Sequence, residues 1–175
     1  MTPWLLMAAL TATAGDLAGV TMPDSCTVGG ETLTLNGMGL REKYYIDVYV
    51  GGLYLPSKTS SGADAAAAAG AKRVQMNFIY KQVTAEQQCE SFVEGFEKVS
   101  GGSMSGKVQE LCGMLPTVVA GDVVQFDFDG NATSVTVNGA NKGSIAGADF
   151  GKGLVNVFVG GYPPTAKLRK GMLRG

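Results

Sequence analysis

The stretch Glu42–Leu55 (EKYYIDVYVGGLYL) limits the fold more than any other part of the chain. It is rich in β-branched and aromatic residues and too long to be a loop, so it reads as extended β structure with two separate faces. Tyr45, Asp47, Tyr49, Gly51 and Leu53 share one face, and Tyr44, Ile46, Val48, Val50 and Tyr54 share the other. The second set is the more apolar and reads as the core face. The first mixes polar and aromatic groups, as a ligand-facing or partly wet surface would. Before it, Cys26–Leu35 reads as a hairpin around Gly29-Gly30, and Asn36-Gly37-Met38-Gly39 reads as a turn.

Beyond that run the elements separate by type. Ser57–Gly62 is a polar loop, Ala63–Ala69 a short alanine helix, and Arg73–Tyr80 a strand. Thr84 and Gln87 have the spacing of a capping box, which opens a helix over Thr84–Val99. Its apolar positions Cys89, Phe92, Val93 and Phe96 form one stripe, expected in the core. A further helix is expected near Lys107–Leu115, stopped by Pro116. Asp122–Phe128 and Ala132–Val137 alternate about an Asp129-Gly130-Asn131 turn, and Asn138-Gly139 turns the chain again. Ala148–Val159 is helical, and Thr165 caps a last helix that runs to Leu173. Strands fall in early and late blocks without βαβ alternation. The expected class is therefore α+β, a large antiparallel sheet with helices packed on one face.

Composition narrows the chemistry. The 175 residues suit one domain, with 45% hydrophobic and 17% charged residues. The net charge of −1 provides no basic field for nucleic acid. There is no histidine, which excludes imidazole bases, Ser-His-Asp triads and histidine metal sites. No metal and no cofactor is expected. Cys26, Cys89 and Cys112 lack zinc spacing. They read as small apolar side chains, with a Cys89–Cys112 bridge open to an exported protein.

Trp4–Leu10 (WLLMAAL) followed by Ala12-Thr13-Ala14 has the order of a signal peptide, cleaved before Gly15. That divides the chain into a signal peptide, 1–14, and a mature domain, 15–175. The protein is then periplasmic or secreted, with no stable membrane insertion. No Lys or Arg precedes the apolar run, and a buried N-terminal helix is the other reading.

Leu35–Pro56, Arg73–Gly95 and Asn138–Phe150, with the glycines and helices that follow, resemble the chalcone isomerase-like family, particularly its bacterial exported branch. The resemblance covers about Val20–Gly175 and implies an open-faced β-sandwich, a large antiparallel sheet under a layer of helices with an apolar cleft between. The plant isomerases use an arginine, two hydroxyl side chains, a tyrosine and an asparagine. Those positions fall on Arg41, Tyr49, Lys81 (beside Tyr80), Gln88 and Val157, so only the arginine is retained. Losing the ordered hydroxyls and amide removes the preorganised hydrogen bonds such catalysis needs. Non-catalytic relatives hold a fatty-acid carboxylate with an arginine and a tyrosine, here Arg41 and Tyr49. Arg41 and Tyr49 would share a face of one extended strand, with Tyr45 between them.

The expected function is non-catalytic binding of a fatty-acid-like or other small apolar carboxylic acid. Its candidate ligand residues are Arg41, Tyr49, Tyr45, Lys81, Gln88 and Val157. The alternatives are a chalcone isomerase-type intramolecular lyase and a ligand-free structural or interaction protein. The basic set Lys167, Arg169, Lys170 and Arg174 reads as compensation of the last helix's dipole, with contact to anionic headgroups as the alternative.

Overall fold

The computed structural model describes residues 15–174. The expected signal peptide, 1–14, lies outside the described residues. Glycine-rich turns cut the β-prone runs into strands β1 (Gly15–Leu17), β2 (Val20–Met22), β3 (Ser25–Val28), β4 (Glu31–Lys43) and β5 (Ile46–Leu55). Helix α1 (Gly62–Ala67), β6 (Lys72–Phe78) and β7 (Gln82–Val83) follow, then α2 (Ala85–Ser100), α3 (Ser105–Met114) and β8 (Val118–Val119). The chain ends with β9 (Val123–Phe128), β10 (Ala132–Val137), β11 (Ala140–Ala146), α4 (Ala148–Val159) and α5 (Ala166–Met172). Seven strands form one antiparallel sheet in the order β11-β10-β9-β6-β5-β4-β3. The helices cover its inner face, as the α+β reading expects.

The inner-face core joins Leu53, Val74, Met76, Phe126 and Val135 of the strands to Phe96, Phe150, Leu154 and Phe158 of the helices. Phe92 sits edge-on to Phe126 and Phe158 at 5.5 and 6.1 Å, and Phe96 stacks on Phe150 at 5.0 Å. Across the sheet, Val20 and Met22 of the β1–β2 hairpin cover Met38, Leu40 and Val50. Thr84 and Gln87 form the expected capping box on α2, and Thr165 caps α5. A Cys89–Cys112 disulfide, Cα atoms 4.9 Å apart, joins α2 to α3, while Cys26 is a free thiol.

Several expectations fail for identifiable reasons. Glu42–Leu55 is not one strand, because Tyr44 and Tyr45 take positive φ (50° and 63°) and form the two-residue turn between β4 and β5. Bulky residues rarely adopt that conformation, so nothing in a Tyr-Tyr pair signals a turn. Asn36–Gly39 is not a turn but the middle of β4. Pairing steps from Leu35↔Tyr54 to Gly37↔Leu53, which leaves Asn36 as an inserted bulge residue. The core face was also misread: Tyr49 and Leu53 belong to the main core, while Val50 and Tyr54 pack on the opposite side. Val93 does not join the α2 stripe. It is exposed, and Gln88 is buried with Phe92 and Phe96 instead. The strands β1, β2, β7, β8 and β11 were not anticipated; most are short, and Ala140–Ala146 lacks apolar alternation.

Glycines let α5 lie directly against the sheet. A Cβ on Gly39 would sit 2.2 Å from the Leu168 carbonyl oxygen, and one on Gly37 would sit 2.3 Å from that of Gly171. Asn36 closes the same corner. Its amide donates to the carbonyls of Thr59 (2.9 Å) and Met172 (2.8 Å), and its oxygen accepts from the Thr59 N–H (2.8 Å).

Candidate functional site

A second bulge in the β4–β5 ladder builds the site. Arg41 pairs with Tyr49, but the next pair is Glu42↔Asp47, so Val48 is the extra residue on β5. Both Ile79 and Tyr80 donate their N–H to the Val48 carbonyl, at 3.0 and 3.2 Å. A bulge bends its strand and re-aims neighbouring side chains. Here Ile46, Val48 and Tyr49 all reach the same cavity, which strict alternation would forbid.

That cavity is a cleft of about 730 Å³ between the inner sheet face, α2, and the end of α4 with the loop after it. Its apolar wall comes from Met76 and Phe78 of β6, Phe92 of α2, and Val157 and Phe158 of α4. Gly95 allows α2 to come close to α4, since a Cβ there would sit 2.8 Å from Val157 Cγ1. Tyr44, Tyr162 and Pro163 rim the opening, with the charged residues Lys43, Glu90, Glu94 and Lys98.

Arg41 and Tyr49 lie on this wall as cross-strand partners rather than as residues of one strand. The Tyr49 ring packs on Phe78, centroids 5.6 Å apart. Burial raises the Tyr49 phenol well above its ordinary value, and the charge and hydrogen bond of Arg41 offset this only in part. The phenol therefore stays protonated at neutral pH. Its O–H can therefore donate to a group in the cleft. Arg41 also donates through Nη1 to the backbone carbonyl of Glu42, which holds the guanidinium at the strand end. Across the opening, Glu94 bonds Lys98 at 2.8 Å. That hydrogen bond, then the Lys98 charge, and more weakly Lys43 and Arg41, hold the Glu94 carboxyl below its ordinary value.

Gln88 lines the cleft and is only 3% exposed. Its Nε2 donates to the Pro116 carbonyl at 2.5 Å, while its Oε1 has no protein partner. Val157 is buried on the α4 wall. The structure thus brings together Arg41, Tyr49, Gln88 and Val157. It separates the other two candidates. Tyr45 stands fully exposed at the turn, and Lys81 is exposed with its ammonium over the Tyr80 ring at 5.9 Å; neither lines the cleft. Tyr45 left the predicted face because the turn falls at Tyr44-Tyr45. Sequence reasoning missed Ile46, Val48 and Phe78 as wall residues. No local signal marks a bulge at Val48, which shows only in the pairing of three strands.

An antiparallel sheet under one layer of helices, with an apolar cleft between and an arginine on its wall, defines an open-faced α+β sandwich with a small-molecule-sized pocket. The chain belongs to the chalcone isomerase-like family, which it matches over residues 14–174. A fatty-acid binding protein of Arabidopsis thaliana has a similar solved structure, with a TM-score of 0.75 over 93% of this chain and 96% of that one. The two are 17% identical, which shows a shared fold. No curated protein sequence matches this chain.

Proposed function

We propose that this protein binds a fatty-acid-like or other small apolar carboxylic acid in the cleft, without catalysing a reaction on it. The observation that carries the reading is the Arg41–Tyr49 pair beside the apolar wall of Met76, Phe78, Phe92, Val157 and Phe158 in a cleft of about 730 Å³. A guanidinium can hold a carboxylate through two parallel N–H bonds, and the neutral Tyr49 phenol supplies a third donor. The apolar wall takes the chain, each buried CH₂ contributing about 0.8 kcal/mol. The similar Arabidopsis thaliana protein, named for fatty-acid binding, supports the ligand class. Against isomerisation stand Lys81, which lies outside the cleft, and Val157, an apolar side chain where the plant isomerases carry a hydroxyl. We also propose that the protein is exported. The Cys89–Cys112 disulfide supports this, since such bonds persist in oxidising compartments.

Calorimetric titration with a fatty-acid series tests the carboxylate clamp. Arg41→Ala should weaken acid binding by about 2 kcal/mol or more, and Tyr49→Phe by about 1 kcal/mol through the lost hydroxyl alone. The methyl ester of the same chain should bind weakly and lose little further in Arg41→Ala. Equal binding of acid and ester, or unchanged affinity in Arg41→Ala, would sink the clamp and favour a ligand-free interaction protein. An Arg41-dependent cyclisation of a chalcone would instead establish the lyase.

A further inference from the structure

The β4–β5 turn carries a cost that the protein's own packing does little to offset. A two-residue hairpin loop with positive φ at both positions is the geometry for which Asn-Gly is preferred, because those residues enter it with little strain. This chain places Tyr44 and Tyr45 there, at φ 50° and 63°. Their rings gain little from the fold in return, for Tyr44 is 84% exposed and Tyr45 fully so. Ile46 beside them is 42% exposed, and Tyr162, across the opening of the cleft, is 65% exposed. Of these, Tyr44, Ile46 and Tyr162 also line the cleft, so the exposed patch and the entrance are continuous. Strain held together with exposed aromatic surface marks a contact made elsewhere.

We propose that this hairpin tip, with Tyr162, is a docking surface for a phospholipid bilayer and sets the cleft opening against the headgroups. Tyrosine has an apolar ring and a polar tip, which suits the boundary between acyl chains and water. Two lysines stand at the same end of the sheet, Lys43 with its ammonium 5.8 Å from the Tyr44 ring and Lys81 over Tyr80. Among the described residues neither lysine forms a salt bridge, Lys43 acting on Glu94 only at longer range, while Glu42 is bonded to Lys167 (2.6 Å) and Glu94 to Lys98. The lysines can therefore meet anionic headgroups as the rings enter the interface. A two-residue tip is too narrow for a stable protein–protein contact, which buries about 1,000 Å² or more. A soft interface that moulds around it needs no such area. Docking here would let an apolar acid pass from the bilayer into the cleft without crossing water. That purpose rests on the acid-binding reading; the docking does not.

Sedimentation of ligand-free protein with vesicles of phosphatidylcholine and phosphatidylglycerol tests it. The unmutated protein should pellet with the vesicles, less so as salt is raised. Tyr45→Gly should reduce the bound fraction several-fold, and Tyr44→Asn with Tyr45→Gly should weaken partitioning by about tenfold. Thermal unfolding guards against trivial loss, because both variants relieve the turn and should melt at or above the parent's temperature. Tyr45 does not line the cleft, so Tyr45→Gly should bind decanoate as the parent does. Failure of the parent to pellet, or variants that pellet equally well, would overturn the proposal. So would a dimer in light scattering that Tyr45→Gly converts to monomer, since a second copy would then cover the tip. Vesicle binding without decanoate binding would keep the docking and remove the acid.

Discussion

The β4–β5 ladder contains two bulges, and the surroundings of the two are opposites. At Asn36 the inserted side chain is buried, with its amide bonded to both Thr59 and Met172, and α5 rests on the bare backbone of Gly37 and Gly39. At Val48 the inserted residue borders a cleft of about 730 Å³, with charged groups around its opening and a strained turn three residues away. The same backbone device closes one end of the hairpin and opens the other. What differs is the partner layer. A helix seated on glycines leaves no room at the first, while α2, the end of α4 and the loop after it enclose open space over the sheet at the second. The closed end should therefore govern stability and the open end binding.

The largest test of that contrast is Gly39→Ala. A methyl group there would strike backbone, not a flexible side chain, so α5 must lift; we expect a loss of about 3 kcal/mol in urea unfolding. A loss below 1 kcal/mol, on the order of a surface change, would mean that α5 docks loosely and the closed end is not closed. Asn36→Ala comes next. It leaves the Thr59 N–H and two carbonyls without their partner, which should cost about 2 kcal/mol by the same measurement.

A tyrosine beside each bulge gives a smaller, pH-dependent test. Burial raises the Tyr49 phenol well above its ordinary value. It also pushes Tyr54, whose hydroxyl donates to the Pro23 carbonyl at 2.8 Å, up to about 12. Both folded values exceed the unfolded one of about 10. The stability they contribute is thus fully present below about pH 10 and is lost as pH rises from there through the folded values. Each should forfeit about 1 kcal/mol by pH 11, and Tyr49→Phe or Tyr54→Phe should flatten the alkaline limb by its own share. A limb unchanged in Tyr49→Phe would show water reaching that phenol.

The smallest expected effect is on the stability of Arg41→Ala, within about 0.5 kcal/mol of the parent despite its loss of acid binding. A large destabilisation would make Arg41 a structural residue and blur the line between the two ends.

How much of this was legible in the chain follows from the range of each interaction. Helix starts are local chemistry, so Thr84 with Gln87 and Thr165 located α2 and α5 to within a residue. The antiparallel class followed from the grouping of strands, and the family resemblance pointed to Arg41, Tyr49, Gln88 and Val157, which lie on the cleft wall, and to Lys81, which does not. Strand faces were not legible, because period-two alternation assumes an unbroken ladder and this one is interrupted twice. Asn36-Gly37 looked like a turn and proved to be a bulge held by groups more than twenty and a hundred positions away. Tyr44-Tyr45 looked like strand and proved to be a turn. It takes that turn because the pairing of β4 with β5 leaves those two residues to close the hairpin, against their own preference. Short-range pattern therefore determined the elements and the class of fold. Which face became a cleft was decided only when α2, α4 and the sheet packed together, since neither bulge has a partner within its own stretch of chain.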